Sequence, residues 1–133
     1  MKKLLAALGF MLVLLSANAQ YQLYKEVEGV EFYTKWGREK WLSKKSPKVL
    51  LVKVVNKGSL AVDFEMGVEF FKDMIMVEES KPSSMCISAG KTLLPRMAGL
   101  VYKPAEVNPE EIDGFELSDL EVTKRTLGDC TTH

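Results

Sequence analysis

The chain is poor in the residue types that most often carry catalysis and metal binding. Its only histidine, His133, is the last of the 133 residues. Because chain ends fray and a nucleophile needs a base held beside it, we expect no Ser–His or Cys–His pair. One histidine and two cysteines also provide no zinc-ligand spacing, so the sequence predicts no metal site and no cofactor.

An excess of charge of one sign is missing as well. The chain carries 18 basic and 18 acidic residues. A balance this close to neutral gives no electrostatic reason to bind nucleic acid. Beyond residue 20 no apolar run approaches the roughly 20 residues that a spanning helix needs, so the sequence predicts no membrane span.

A complete phosphate-binding loop is missing too, although Gly90-Lys91-Thr92 has the ending of one. A P-loop needs a further glycine five positions before Gly90, where this chain has Met85. It must also open a helix, whereas Pro95 follows closely among strand signals. We therefore predict no nucleotide, and interpret Gly90 as a corner between two strands with a positive φ.

The N-terminal residues have the pattern of a secretory signal. Lys2 and Lys3 precede an apolar run over residues 4–15, and Ala17-Asn18-Ala19 forms a small-residue cleavage pattern. We expect a signal peptide over residues 1–19 and a single domain over residues 20–133. Because Gln20, and not a cysteine, directly follows the cleavage point, the product is predicted to be periplasmic or extracellular and not lipid-anchored.

Two cysteines remain in this predicted exported domain, Cys86 and Cys130. An even count in an exported chain favours one disulfide, and two reduced thiols are the alternative. Closing this loop would stabilise the fold by about 4 kcal/mol in the chain-entropy model.

Strand patterns dominate the middle of the chain. Residues 49–55 are rich in β-branched side chains. Within residues 61–71, large apolar side chains at the even positions 62–70 alternate with polar or small side chains at the odd positions 61–69. We predict strands there, with a bulge at Gly67. A tight turn at Lys72-Asp73 should lead into a hairpin partner over residues 74–79.

Further strands are predicted on both sides of this region. They cover residues 27–36, 85–87, 93–102 and 115–122. In the last of these the apolar residues change from odd positions, up to Leu117, to even positions, from Leu120. This change predicts a β-bulge or break near Ser118-Asp119. Residues 103–111, with two prolines and three glutamates, are predicted to be a loop.

About seven short strands without a convincing helix predict an all-β fold, an antiparallel immunoglobulin-like β-sandwich, with a small barrel as the alternative. The segments "VLLVKVVNKGSLAVDFEMGVEFFKDMIMVEES" and "CISAGKTL" resemble the middle of small secreted bacterial Ig-like or fibronectin-III-like domains. The resemblance covers residues 47–102 and implies the fold but no particular role. Both tryptophans precede both cysteines, so the inter-sheet disulfide of antibody domains is not implied.

The segment "KWGREKW" is the best candidate for ligand binding. Trp36 and Trp41 offer large flat side chains that can stack on sugars or anchor a protein contact, and Tyr33 lies nearby. On a regular strand their spacing of five would place the two tryptophans on opposite faces, so one of them could be a core residue.

These observations favour an exported, non-catalytic binding module for a protein or a glycan. One alternative is a secreted hydrolase using carboxylates such as Asp63, Glu65 and Glu69, which share one strand face and could also hold calcium. An ordinary solvated face is the simpler interpretation. The other alternative is a structural subunit that assembles through β-edge pairing.

Overall fold

The computed structural model describes residues 20–130, so the predicted signal segment and His133 lie outside the described residues. The described chain forms two antiparallel sheets with 54% strand and 6% helix. The prediction of an all-β sandwich is confirmed, with nine strands in place of about seven. The immunoglobulin-like assignment stays a prediction.

The first sheet consists of β1 (Gln22–Val27), β2 (Val30–Arg38), β3 (Lys48–Asn56), β7 (Thr92–Leu93) and β8 (Val101–Tyr102). The second sheet consists of β4 (Val62–Lys72), β5 (Ile75–Glu79), β6 (Ser83–Ile87) and β9 (Gly114–Lys124). Strand β4 is central, because β9 pairs along nearly its whole length while β6 and β5 pair with its first and second halves. A short helix, α1 (Pro95–Ala98), and a 3-10 turn (Pro109–Glu111) complete the elements.

The core lies between the inner faces of the two sheets, where the alternation of β4 meets that of β2 and β3. All five predicted inward residues of β4 are at most 2% exposed: Val62, Phe64, Met66, Val68 and Phe70. Phe64 contacts Phe32 of β2 edge-to-face, with ring centroids 5.6 Å apart. Full burial of side chains of this size stabilises a fold by about 1.5–3 kcal/mol each, so this interface dominates the stability.

The bulge predicted near Ser118-Asp119 is present in β9. Glu65 pairs with Glu121 and Gly67 pairs with Ser118, so one residue of β4 faces two of β9. Asp119 has a φ of 51°, in the left-handed region. The extra residue is therefore in β9, and Gly67 lies directly beside it. A Cβ at Gly67 would come within 2.8 Å of Ser118 Oγ, so glycine leaves the room that the bulge needs.

Within residues 20–130, the β1–β2 and β4–β5 hairpins use two-residue turns with positive φ at both turn residues. The predicted hairpin between β4 and β5 is confirmed, with its turn one residue later, at Asp73 and Met74. The prediction of a single strand over residues 27–36 is wrong, since Glu28 and Gly29 turn the chain between β1 and β2. Turns of this kind match the twist of the flanking strands.

The single strand predicted over residues 93–102 is also wrong. Strand β7 ends at Leu93, and Pro95 starts α1 at the first helical position, where its missing N–H costs nothing. Gly99 closes the helix with a φ of 77°, and β8 follows. Both short strands pair with β3, so the segment still extends the first sheet.

The predicted disulfide between Cys86 and Cys130 is confirmed, with 5.6 Å between the two Cα atoms. It ties β6 to the segment that follows β9. No helix within residues 20–130 has the length and apolar character needed to cross a bilayer.

Candidate binding surface

The structure does not bring together the three residues predicted to bind a ligand. Trp36 and Tyr33 lie on opposite faces of β2, because they are an odd number of residues apart. Trp41 lies beyond the end of β2, in the loop between β2 and β3. Each of the three therefore has a different environment.

Trp36 is part of the packed interior. It is partly buried, and its ring lies 5.7 Å from Phe115 edge-to-face and 6.2 Å from Phe70. The Lys48 ammonium lies 4.3 Å from the indole centroid and also donates to the Ile112 carbonyl oxygen at 3.0 Å. These contacts explain Trp36 without a ligand.

Tyr33 belongs to a polar cluster on the outer face of the first sheet. Its hydroxyl donates to Glu31 Oε1 at 3.0 Å, and Lys57 Nζ lies 3.1 Å from the same oxygen. The hydrogen bond to the Glu31 carboxylate raises the pKa of Tyr33. Lys53 Nζ lies 4.7 Å from the rings of both Tyr33 and Tyr21. Internal partners thus account for the polar atoms of Tyr33.

Trp41 differs from these two because its side chain is 73% exposed, next to Leu42 at 79%. The loop that carries them is held by the buried side chain of Ser46. The Ser46 hydroxyl accepts a hydrogen bond from the Lys40 N–H at 3.1 Å and donates one to the Ser43 carbonyl oxygen at 2.9 Å. Ser46 thus holds the loop from inside, and the two large apolar side chains lie exposed on it.

A second exposed apolar pair lies at the same end of the sandwich. Met74 in the β4–β5 turn is 94% exposed, and Ile75 is 67% exposed. We call Trp41, Leu42, Met74 and Ile75 the tip surface. The sequence prediction missed Leu42, Met74 and Ile75. Leu42 and Met74 lie in turns, which lack the periodicity that identifies strands, and Ile75 is the first residue of β5. The available signal was the apolar character of Leu42, directly after Trp41, and of Met74, directly after the predicted Lys72-Asp73 turn.

The segment over residues 109–113 links the two parts of the tip surface. Glu110 forms an ion pair with Arg38 at the end of β2. Glu111 lies 3.3 Å from Lys72 Nζ at the end of β4, and Asp113 Oδ2 accepts from the Asp73 N–H at 3.0 Å. The β2–β3 loop and the β4–β5 turn therefore share one end of the molecule.

Asp63, Glu65 and Glu69 share the outer face of β4, as their spacing predicted. Asp63 accepts two hydrogen bonds from Arg125, at 2.8 and 2.9 Å, and this contact lowers the pKa of Asp63. A groove of about 470 Å³ is lined by Asp63, Glu65 and Glu121, and Glu121 of β9 pairs directly with Glu65. Because a general acid needs a raised pKa, Asp63 fits a structural ion pair better than catalysis. No group of three or more potential metal ligands occurs in the described part of the chain.

The Gly90-Lys91-Thr92 segment forms a corner between β6 and β7. Gly90 has a φ of 70°, and the Lys91 N–H donates to the Ser88 carbonyl oxygen at 3.2 Å. The buried Asn56 amide, which the sequence prediction missed, donates to the carbonyl oxygens of Ile87 and Ser88 beside it, each at 3.3 Å. This segment leads into β7, so it does not open a helix.

Comparison of the chain with protein-family models, with curated proteins and with solved structures finds no match in any of the three. The resemblance to Ig-like and fibronectin-III-like domains therefore remains a prediction from the residue pattern. The geometry of the tip surface is the basis on which a function can be argued.

Proposed function

We propose that this chain is an exported, non-catalytic binding module, and that it contacts its partner through the tip surface. The observation that carries the proposal is the exposure of Trp41 and Leu42 on a loop that the buried Ser46 holds in place. Exposed apolar patches on soluble domains commonly mark interaction sites, and tryptophan is enriched among the residues that dominate binding energy.

The organisation of the loop supports this role. An apolar side chain in a flexible loop would lose conformational entropy on binding, and this loss weakens the complex. Here the Glu39 N–H donates to the Pro47 carbonyl oxygen at 2.8 Å, closing the loop above Ser46. Because the loop is ordered before it meets a partner, little of this entropy is lost when Trp41 becomes buried.

The chemistry of the tip surface favours a macromolecular surface over a small glycan. A sugar site orients its ligand with several polar groups placed around an aromatic face. The tip surface instead offers exposed apolar side chains, with Leu42 directly beside Trp41 in the loop and Met74 and Ile75 at the β4–β5 turn. Export is supported by the Cys86–Cys130 disulfide, since disulfides persist in oxidising compartments.

Site-specific photo-crosslinking in the cells that produce the protein tests the proposal. A benzophenone amino acid would replace Leu42 in one variant and Leu127 in a matched control, because Leu127 is 90% exposed outside the tip surface. We expect discrete crosslinked species from position 42, to a protein or to a lipid as identified by mass, and none of the same mass from position 127. Equal crosslinking at the two positions, or none at position 42, would contradict the proposal. A glycan array that retains wild type but not Trp41→Ala would instead restore the sugar hypothesis.

A further inference from the structure

Positive charge without a carboxylate partner surrounds the exposed tryptophan. The glutamates of this end are each neutralised by a basic side chain of another element: Glu39 by Lys103, Glu110 by Arg38 and Glu111 by Lys72. Lys40, Lys44 and Lys45, which flank Trp41 and Leu42, are exposed and form no ion pair with any residue in the range 20–130. The loop therefore presents two apolar side chains inside a cationic rim.

The acidic groups of this end that lack an ion pair lie away from that loop. Asp73 and Asp113 contact each other at the β4–β5 turn, through the Asp73 N–H and the Asp113 carboxylate. The net positive charge is thus concentrated on the β2–β3 loop. A partner that matches this loop must be apolar at its centre and anionic around it.

The arrangement of the apolar side chains further narrows the class of partner that the tip surface can bind. Trp41 and Leu42 lie on one turn and Met74 on another, with the 109–113 segment and its ion pairs between them. A protein interface buries a contiguous apolar core with few charges inside it. Two separate projecting tips, of which the β2–β3 loop carries the unpaired lysines, instead suit a fluid surface that deforms around each tip. Tryptophan is also enriched at the boundary between headgroups and acyl chains.

We propose that the tip surface docks on an anionic phospholipid surface, with Trp41 and Leu42 inserted among the headgroups and Lys40, Lys44 and Lys45 bound to lipid phosphates. This inference rests on the proposed function and names the partner of the same site. The combination of a basic and an apolar contact is the one that holds peripheral proteins on membranes. Met74 and Ile75 provide a second, smaller contact on the same side.

Vesicle co-sedimentation tests this inference, using protein expressed as the complete chain and purified in the form that the cell produces. The vesicles contain 30% phosphatidylglycerol in phosphatidylcholine, with pure phosphatidylcholine as the comparison. One lysine near an anionic surface strengthens binding about fivefold. We therefore expect Lys44→Glu/Lys45→Glu to lose at least 25-fold in affinity, and Trp41→Ala/Leu42→Ala to lose at least tenfold. Both changes lie on exposed side chains, and circular dichroism would verify that each variant folds.

Two matched controls complete the test. Leu127→Ala removes an exposed apolar side chain and Lys124→Glu reverses an exposed charge, both outside the tip surface, and neither is expected to change binding. Wild-type binding should fall in 0.5 M NaCl, and Trp41 emission should shift to shorter wavelength on the anionic vesicles. No binding to those vesicles, or equal losses in the control and tip variants, would overturn the lipid inference. A crosslink from position 42 to a protein, without vesicle binding, would overturn it while leaving the proposed function intact.

Discussion

The two tryptophans should respond in opposite ways to truncation. Trp36 packs on Phe70 and Phe115 and lies under the Lys48 ammonium, whereas Trp41 is 73% exposed. Aromatic pairs contribute about 0.5–1.5 kcal/mol each, and a cation–π contact at a partly exposed site about 0.5–1 kcal/mol. Tryptophan-to-alanine changes in cores cost about 3–5 kcal/mol. For the partly buried Trp36 we expect a loss of about 3 kcal/mol in the free energy of unfolding.

For Trp41→Ala we expect a change within about 0.5 kcal/mol, as for most surface substitutions. Urea unfolding followed by far-ultraviolet circular dichroism measures both variants without relying on tryptophan emission. The denaturant slope of each variant should match that of wild type, so that a lower midpoint reports a loss of stability. In a thermal scan Trp36→Ala should melt about 12 °C lower, at roughly 4 °C per kcal/mol for a domain of this size. A cost below about 1 kcal/mol for Trp36→Ala, or an equal cost for Trp41→Ala, would refute the assignment of one tryptophan to the core and the other to the tip surface.

Three further outcomes can be measured. Replacing both Cys86 and Cys130 by alanine should lower the free energy of unfolding by about 4 kcal/mol, because the disulfide closes a 44-residue separation; an unchanged urea midpoint would contradict this. Gly67→Ala should cost about 1–3 kcal/mol, because its Cβ would meet Ser118 Oγ at 2.8 Å, and adding Ser118→Ala should recover part of the loss in a double-mutant cycle. The pKa of Asp63 is lowered in the folded state. The stability that its carboxylate contributes is therefore complete above about pH 4 and is lost as the pH falls through that lowered pKa. Asp63→Asn should flatten the acid limb of a curve of stability against pH, and an unchanged limb would count against the ion pair.

Where one face of a strand is buried, the sequence predicted the structure well. The alternation of residues 61–71 located β4 and its five core residues, because burial on one face enforces a period of two. The parity flip between Leu117 and Leu120 located the bulge for the same reason, since the extra residue at Asp119 is what returns Leu120 to the inner side. The position of a bulge was thus readable from a local pattern, whereas the pairing of β9 with β4 was not predicted.

Elements without a buried face escaped prediction. Strand β1 is almost wholly exposed and contributes no alternation, so its pairing with β2 left little signal beyond the Glu28-Gly29 turn. A bulge in β1 leaves Tyr24 out of the pairing, and its hydroxyl accepts from the Leu117 N–H at 3.2 Å while its ring lies 5.8 Å from Phe115. This contact joins the edges of the two sheets, and only the folded topology reveals it.

Of the three residues predicted to bind a ligand, only Trp41 belongs to the tip surface, because the predicted segment crosses the end of a strand. The KWGREKW segment was selected for its aromatic residues, but the end of β2 at Arg38 divides it into a core part and a loop part. Trp36 continues the inward series of Val30, Phe32 and Thr34, so its role in packing could have been read from the period of the strand. What could not be read is that Ser46 folds the loop back on itself and turns Trp41 outward.

The β4–β5 turn adds an independent reason to regard the tip surface as functional. Met74 has a φ of 67°, in a region that costs a residue other than glycine about 1–2 kcal/mol and that hairpin turns usually fill with glycine or asparagine. Its side chain is 94% exposed, so packing does not offset that cost. Natural proteins tend to break local rules of this kind at functional sites. The unfavourable backbone at Met74 and the exposed indole at Trp41 occur at the same end of the sandwich, and a partner surface that buries both would account for the two departures together.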